Sequence, residues 1–144
     1  MPRTLRDRVV DRFWARHSNP KSGWTRVPGG AVLVLAIYRR DPRLLAATLV
    51  WILVNPLLFS PPDDEEAWMT RAVLAERWWL RQDNRTVGLG YPNVCNTVAA
   101  TGFLLALVAA WRRRPAGMAV GTALSVGLKL WWLRELLKRY DEQG

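Results

Sequence analysis

The chain has 144 residues and a net charge of +9, and half of its residues are hydrophobic. This length fits a single domain, and the composition excludes a disordered chain, a collagen-like chain and a disulfide scaffold. The mean hydropathy of −0.06 is that of a soluble protein, but the charges are distributed unevenly. Residues 44–62 and residues 86–111 contain no charged side chain. Uncharged segments of this length predict membrane-spanning helices rather than a soluble core.

Residues 3–16 predict an amphipathic helix. Leu5, Val9, Phe13 and Trp14 fall on one of its faces, and charged residues cover much of the rest. A basic helix with aromatic residues on its apolar face suits a membrane surface, but the same face could dock on the bundle of the chain itself. The sequence leaves both arrangements open. No signal peptide is expected, because this segment is rich in basic residues and has no apolar core of the required length.

The first span is predicted over residues 24–38 and is short. A turn is expected over residues 21–30, which contain three glycines and a proline. At 1.5 Å per residue the span reaches about 22 Å, against an apolar bilayer core of about 30 Å, so the sequence leaves open whether it crosses. A second span is predicted over residues 42–59, with Asp41 as its N-cap and a kink at Pro56.

A charged helix is predicted over residues 63–81. Its first turn holds four carboxylates, and Asp63 and Glu66 have the spacing of a capping box. The helix is too charged to span a bilayer, so it is expected along the interface. The third and fourth spans are predicted over residues 93–111 and 116–133, and a charged tail should close the chain.

These elements predict an all-α fold, an integral membrane helical bundle that forms one membrane domain over residues 1–144. It would contain three or four transmembrane helices together with the amphipathic and interfacial helices. Four tryptophans lie at the predicted span ends, as in the aromatic belts of membrane proteins: Trp24, Trp111, Trp131 and Trp132. A soluble helical protein is the alternative. With four spans, more basic residues lie on the side of both termini than in the two short turns, which predicts cytoplasmic termini.

The polar residues inside the spans are the best candidates for a site, since a polar side chain in lipid needs a partner. Asn55 lies in the second span, and Asn93 and Asn96 begin the third. They could line a binding site, or they could join helices by hydrogen bonds. Lys129 is interpreted as snorkelling to the headgroups, in preference to an ion or proton site.

The fourth span carries a stripe of small residues that predicts close helix packing. Gly117, Gly121 and Ser125 recur every four residues, and the first two form a GxxxG motif. The partner is either another helix of this chain, a second copy that would make a homo-oligomer, or another membrane protein. The lipid bilayer is the other expected partner.

His17 is the only histidine and Cys95 the only cysteine, so the sequence predicts no metal site, no cofactor and no internal disulfide. His17 next to a helix end typically caps it, whereas a functional interpretation pairs it with Glu76 as a base and its orienting carboxylate. Arg71 would belong to the same cluster. No phosphate-binding loop, GxSxG, HExxH or CxxC motif occurs. Nucleic-acid binding is not expected, because the basic residues form no long run and the aromatic residues are not interleaved with them.

Three motifs resemble those of a family of small uncharacterised polytopic membrane proteins of bacteria and archaea: HxNP followed by WTR at residues 17–26, NPxxF at residues 55–59, and WxxRAVLxE at residues 68–76. The resemblance covers about the first 80 residues by motif and the rest by hydropathy. It departs from the family at Ala75, where a glycine is expected. It implies a polytopic protein of a prokaryotic cell membrane without an assigned activity. It also implies a cluster at one membrane face: His17, Asn19, Arg26, Asn55, Arg71 and Glu76.

Two functions follow from these observations. The first is a non-catalytic bundle or accessory subunit that acts through helix packing. The alternative is a membrane enzyme or small transporter that uses a polar cluster at one membrane face. A clustered, water-accessible set of the candidate side chains would favour the alternative, and separate hydrogen bonds would favour the first.

Overall fold

A computed structural model describes residues 4–82 and 84–143, and in these two ranges it is all-helical. The predicted helix start at Arg3 and the end of the domain at Gly144 lie outside the described residues. Six helices follow one another along the chain: α1 (Leu5–His17), α2 (Pro20–Arg39), α3 (Pro42–Leu58), α4 (Trp68–Arg81), α5 (Asn93–Trp111) and α6 (Pro115–Gln143).

Four helices, α2, α3, α5 and α6, form a bundle between two ends of the molecule. Short turns connect α2 to α3 and α5 to α6 at one end, here called the basic end because residues 39–43 and 112–114 carry six arginines. At the other end, the α1–α4 end, α1 and α4 pack against the bundle. Within the described residues, α5 and α6 are long and apolar enough to cross a membrane, and α3 is apolar but has only 17 residues.

The α2 helix differs from the prediction of a turn over residues 21–30. Asn19 caps it by accepting a hydrogen bond from the Lys21 amide at 2.8 Å, and the helix then continues through Pro28 to Arg39. The glycines beside that proline are packing sites, since a Cβ at Gly30 would lie 3.3 Å from the Phe103 ring. Helix packing therefore overrides the low helix propensity of this segment.

The α4 helix begins five residues later than predicted, at Trp68. The expected capping box is wrong: the N-cap is Ala67, which makes no side-chain cap bond, and Asp64 accepts the amide of Glu66 at 2.9 Å in the preceding loop. The four carboxylates therefore belong to that loop.

The predicted charged tail is part of α6, which extends for 29 residues. Such a helix is about 43 Å long, more than the apolar thickness of a bilayer. Its C-terminal half packs on α4 and forms a core cluster: Ala72, Ala75, Trp132, Leu133, Leu136 and Leu137. The charged residues occupy the outer face of this extension, which is why the sequence pattern resembles a tail.

The α1 helix docks on the bundle with part of its length. Its C-terminal half contacts the bundle, where the Arg16 guanidinium donates to the Leu57 carbonyl at 2.9 Å. Its N-terminal apolar residues remain uncovered, with Leu5 72% and Val9 61% exposed. The exposed half suits insertion into a membrane surface.

The small-residue stripe of α6 packs on α5 of the same chain. A Cβ at Gly121 would lie 2.6 Å from the Gly102 carbonyl oxygen, and one at Gly117 would lie 2.9 Å from the Ala109 Cβ. The stripe thus allows the two backbones to approach closely. An oligomer formed through α6 would have to use another of its faces.

Candidate functional site

A cavity of about 360 Å³ opens between α1, α2, α4, α5 and α6. This volume falls in the usual range of ligand pockets. Six polar side chains line it: His17, Arg26, Glu76, Thr122, Ser125 and Lys129. The apolar part of the wall comes from α2, α4, α5 and α6: Val27, Ala31, Met69, Val73, Phe103, Val126, Leu130 and Leu133.

The charged residues of the cavity lie nearer one end, here called the polar end. The opposite end, here called the apolar end, is uncharged and hydrophobic apart from Thr122 and Ser125. Arg26 lies one turn before Gly30 and Ala31, which continue the same helix face towards Phe103. These positions span about 8 Å along the helix axis at 1.5 Å per residue. Beyond Phe103 a second core cluster, built on Val34 and Ala106, fills the space between α2 and α5. The cavity is therefore a blind pocket with its charges nearer the α1–α4 end.

His17 forms a hydrogen bond with Arg26 at the polar end. A guanidinium can only donate, so the Nδ1 atom of His17 accepts and the proton of the neutral ring resides on Nε2. The Phe13 ring stacks on the imidazole with 5.1 Å between centroids. Burial, together with the positive charges of Arg26 and Lys129, lowers the pKa of His17 to about 4. The imidazole is therefore neutral at physiological pH.

Arg26 connects this pair to a buried hydrogen-bond network between α2 and α3. Its guanidinium also contacts the Ser22 hydroxyl at 3.3 Å, and that hydroxyl donates to Asn55 Oδ1 at 2.8 Å. The Asn55 amide nitrogen donates to Thr25 Oγ1 at 2.9 Å. Ser22 and Asn55 are both fully buried. Asn55 thus fixes the α2 face that presents Arg26 to the cavity.

Glu76 lies on the cavity wall with Lys129 as its partner. The Nζ atom of Lys129 is 3.4 Å from a carboxylate oxygen of Glu76 and 4.2 Å from the centroid of the Trp132 ring. Glu76 was predicted as the partner of His17 in the functional interpretation, but the hydrogen-bond partner of His17 is Arg26. With Arg26 and Lys129 positive and Glu76 negative, the polar end carries one net positive charge.

The other candidate residues lie away from the cavity, in separate hydrogen bonds. Asn19 caps α2 and donates to the Ser60 carbonyl at 2.9 Å. Arg71 pairs with Asp141 at 2.6 Å on the surface. Asn93 accepts from the Trp132 indole at 3.2 Å and Asn96 donates to the Thr86 carbonyl at 2.8 Å. These four residues join structural elements to each other.

Ser22 and Thr122 were not predicted as site residues. Lys129 was predicted to reach the headgroups rather than to line the site. Ser22 fell in the predicted turn, so its helical spacing from Arg26 was hidden. Lys129 is a charged residue within a predicted span, and that signal alone could have identified it, because intramembrane charges commonly mark sites. Over residues 4–82 and 84–143, no group of His, Cys, Asp or Glu side chains is arranged to hold a metal ion.

Comparison with known proteins identifies a family but no activity. Neither curated proteins nor solved structures show a match to the chain. A family model matches residues 8–144, nearly the whole sequence. This result agrees with the resemblance to an uncharacterised family, although it does not test the three motifs. The chain belongs to the family of unknown function DUF6653.

Proposed function

We propose that the chain is an integral membrane protein whose blind cavity holds a small anionic amphiphile. The membrane location is supported by the outer faces of the bundle. Leu53 on α3 is 75% exposed, and Leu104 and Leu105 on α5 are 61% and 62% exposed. Soluble monomers rarely expose contiguous apolar surfaces of this kind, whereas lipid covers them without cost.

A membrane location predicts resistance to alkaline extraction. Carbonate at high pH strips peripheral proteins, but it does not remove helices whose apolar faces contact lipid. The chain should therefore stay in the membrane pellet and enter solution only with detergent, as judged by immunoblotting of both fractions. Recovery of a monodisperse species in the detergent-free supernatant would contradict the proposal.

The proposed orientation puts both termini and α4 in the cytoplasm of a prokaryotic cell. Basic residues near span ends set orientation. The N-terminal segment, the α4 segment and the C-terminal segment together carry more of them than the two short turns at the basic end. Single cysteines at positions 2 and 143, in a variant lacking Cys95, should stay unlabelled by an impermeant maleimide in intact cells. A cysteine replacing Arg113 should be labelled. The reversed labelling pattern would refute cytoplasmic termini.

One observation carries the ligand proposal: a cavity of about 360 Å³ with a net positive polar end and an apolar opposite end. An anionic headgroup would lie between Arg26 and Lys129, and a short alkyl chain would extend towards Phe103. Each charge–charge contact is strengthened by the low dielectric constant of the surroundings. The chemistry suits a single-chain alkyl phosphate or alkyl carboxylate.

Two features of the structure favour binding over catalysis and transport. A general base works best with a pKa near the operating pH, and the pKa of His17, at about 4, is too low for that task. A transporter needs a path to the other end of the bundle, and the cluster around Val34 fills that path. The non-catalytic function therefore fits the geometry better than the enzyme or transporter alternative.

Octyl phosphate is a suitable probe in phosphatidylcholine nanodiscs. It should raise the unfolding temperature of the wild-type chain, because a ligand that binds only the folded state stabilises it. Octyl glucoside, with the same alkyl chain and no charge, should not. Lys129→Gln should weaken binding about tenfold, which corresponds to about 1.4 kcal/mol.

Two further variants make this experiment specific to the cavity. Ala31→Phe should abolish binding by filling the apolar end while keeping every charge. Arg71→Gln is the matched control, since it removes an arginine that lies outside the cavity. Equal octyl phosphate affinity in Ala31→Phe and the wild type would overturn the cavity as the binding site.

A further inference from the structure

The two turns at the basic end have the same backbone structure. In the first, the Asp41 amide donates to the Ala36 carbonyl at 3.1 Å, and in the second the Arg114 amide donates to the Ala109 carbonyl at 2.8 Å. Both are the six-to-one hydrogen bonds of a Schellman motif. The left-handed residue of each turn is an arginine, Arg40 with φ 53° and Arg113 with φ 56°.

Glycine is the residue that a left-handed position favours, since an L side chain is strained there. Both turns carry arginine at that position. The strain has no compensating ion pair, because neither arginine pairs with a carboxylate within residues 4–82 and 84–143. Each guanidinium instead lies over an aromatic ring.

Two crosswise contacts hold the turns side by side. The Arg40 guanidinium lies over the Trp111 ring, 5.3 Å from its centroid, and the Arg113 guanidinium lies over the Tyr38 ring at 5.8 Å. Each turn thus places one of its arginines on an aromatic ring beside the other turn. The result is two adjacent groups of three arginines, all exposed: Arg39, Arg40 and Arg43, and Arg112, Arg113 and Arg114.

The carboxylate nearest in sequence, Asp41, makes no ion pair with these arginines within the described residues. Asp41 accepts the amides of Arg43 and Leu44 at 3.0 Å each, as the N-cap of α3. The remaining guanidinium donors are free to bind oxyanions, and arginine binds phosphate oxygens in a bidentate geometry.

We infer that the basic end binds a phospholipid whose headgroup carries two phosphates, one for each group of three arginines. This inference rests on the membrane location proposed above but not on the cavity. At the proposed depth the arginines lie beside the lipid headgroups, and a guanidinium binds an anionic phosphate headgroup in either leaflet. The diphosphatidylglycerol class has the required chemistry, and free pyrophosphate shares it without the acyl chains.

Native mass spectrometry of the purified chain can count retained lipids. The wild type should retain one diphosphatidylglycerol at least tenfold more strongly than phosphatidylglycerol or phosphatidylcholine. Replacing Arg112, Arg113 and Arg114 by glutamine should remove this preference. The matched control replaces Arg6, Arg8 and Arg12, three exposed arginines on α1 at the other end, and should retain it.

The variant Arg40→Gly with Arg113→Gly separates binding from folding. Glycine relieves the left-handed strain, so the unfolding temperature should hold or rise while lipid retention falls at least tenfold. Unchanged retention in this variant, or equal loss in the α1 control, would overturn the inference. If pyrophosphate at matched concentration displaced the lipid, the ligand of the basic end would be a free diphosphate and not a phospholipid. Failure of these tests in a chain that still resists alkaline extraction would leave the membrane location intact.

Discussion

Gly121→Leu should lower the free energy of unfolding by about 3 kcal/mol, the upper part of the range for overpacking a core. The cause is a backbone contact. The added Cβ would meet the Gly102 carbonyl oxygen at 2.6 Å and the Ala106 Cβ at 2.9 Å. A carbonyl inside a helix cannot rotate away, so α5 and α6 must move apart. This separation weakens the other contacts between the two helices. Reversible unfolding in mixed detergent micelles measures the loss.

Gly127→Leu is the matched control on the same helix. A Cβ at Gly127 meets nothing within 4 Å. Both substitutions gain the same helix propensity, about 0.5–1 kcal/mol, so the difference between them isolates the interhelical contact. Gly127→Leu should therefore be neutral or stabilising. Equal stabilities of the two variants would contradict the packing of Gly121 on α5.

The fold could be predicted where local signals and packing agree. The bounds of α5 follow from an uncharged run between Pro92 and the arginines of the next turn, and the structure has the same bounds. The bounds of α2 could not be predicted, because Pro28, Gly29 and Gly30 are poor helix formers. Packing favours a glycine at position 30, where a Cβ would lie 3.3 Å from the Phe103 ring on α5. Sequence propensity does not contain that tertiary information.

Part of the candidate site was also accessible from the sequence. The family resemblance implied a cluster of six residues, and three of them, His17, Arg26 and Glu76, line one cavity. Their pairing was not accessible, since it depends on how α1 and α6 lie against α2. Asn55 was one of the residues that could join helices by hydrogen bonds, and its partners are Ser22 and Thr25 on α2. A polar helix face shows that a partner exists and does not identify it.

The hydrogen bond between Ser22 and Asn55 is expected to be worth more than an average one between membrane helices. Such bonds average about 0.6 kcal/mol, because polar groups find other partners in the unfolded state. Here both side chains are fully buried. Removing Asn55 leaves the Ser22 hydroxyl proton without an acceptor next to the charge of Arg26. Asn55→Leu should therefore cost about 2 kcal/mol.

A double-mutant cycle tests whether this cost comes from the pair. Ser22→Ala alone should cost about 1 kcal/mol, and the double variant should cost less than the sum by about 1 kcal/mol, because the second substitution removes a group that is already unpaired. Ser22→Ala combined with Asn96→Leu is the control, since Asn96 bonds to the Thr86 carbonyl and shares no partner with Ser22. Those two costs should add. If the costs of Ser22→Ala and Asn55→Leu were also additive, this network would not position Arg26. The octyl phosphate affinity of Asn55→Leu should then equal that of the wild type.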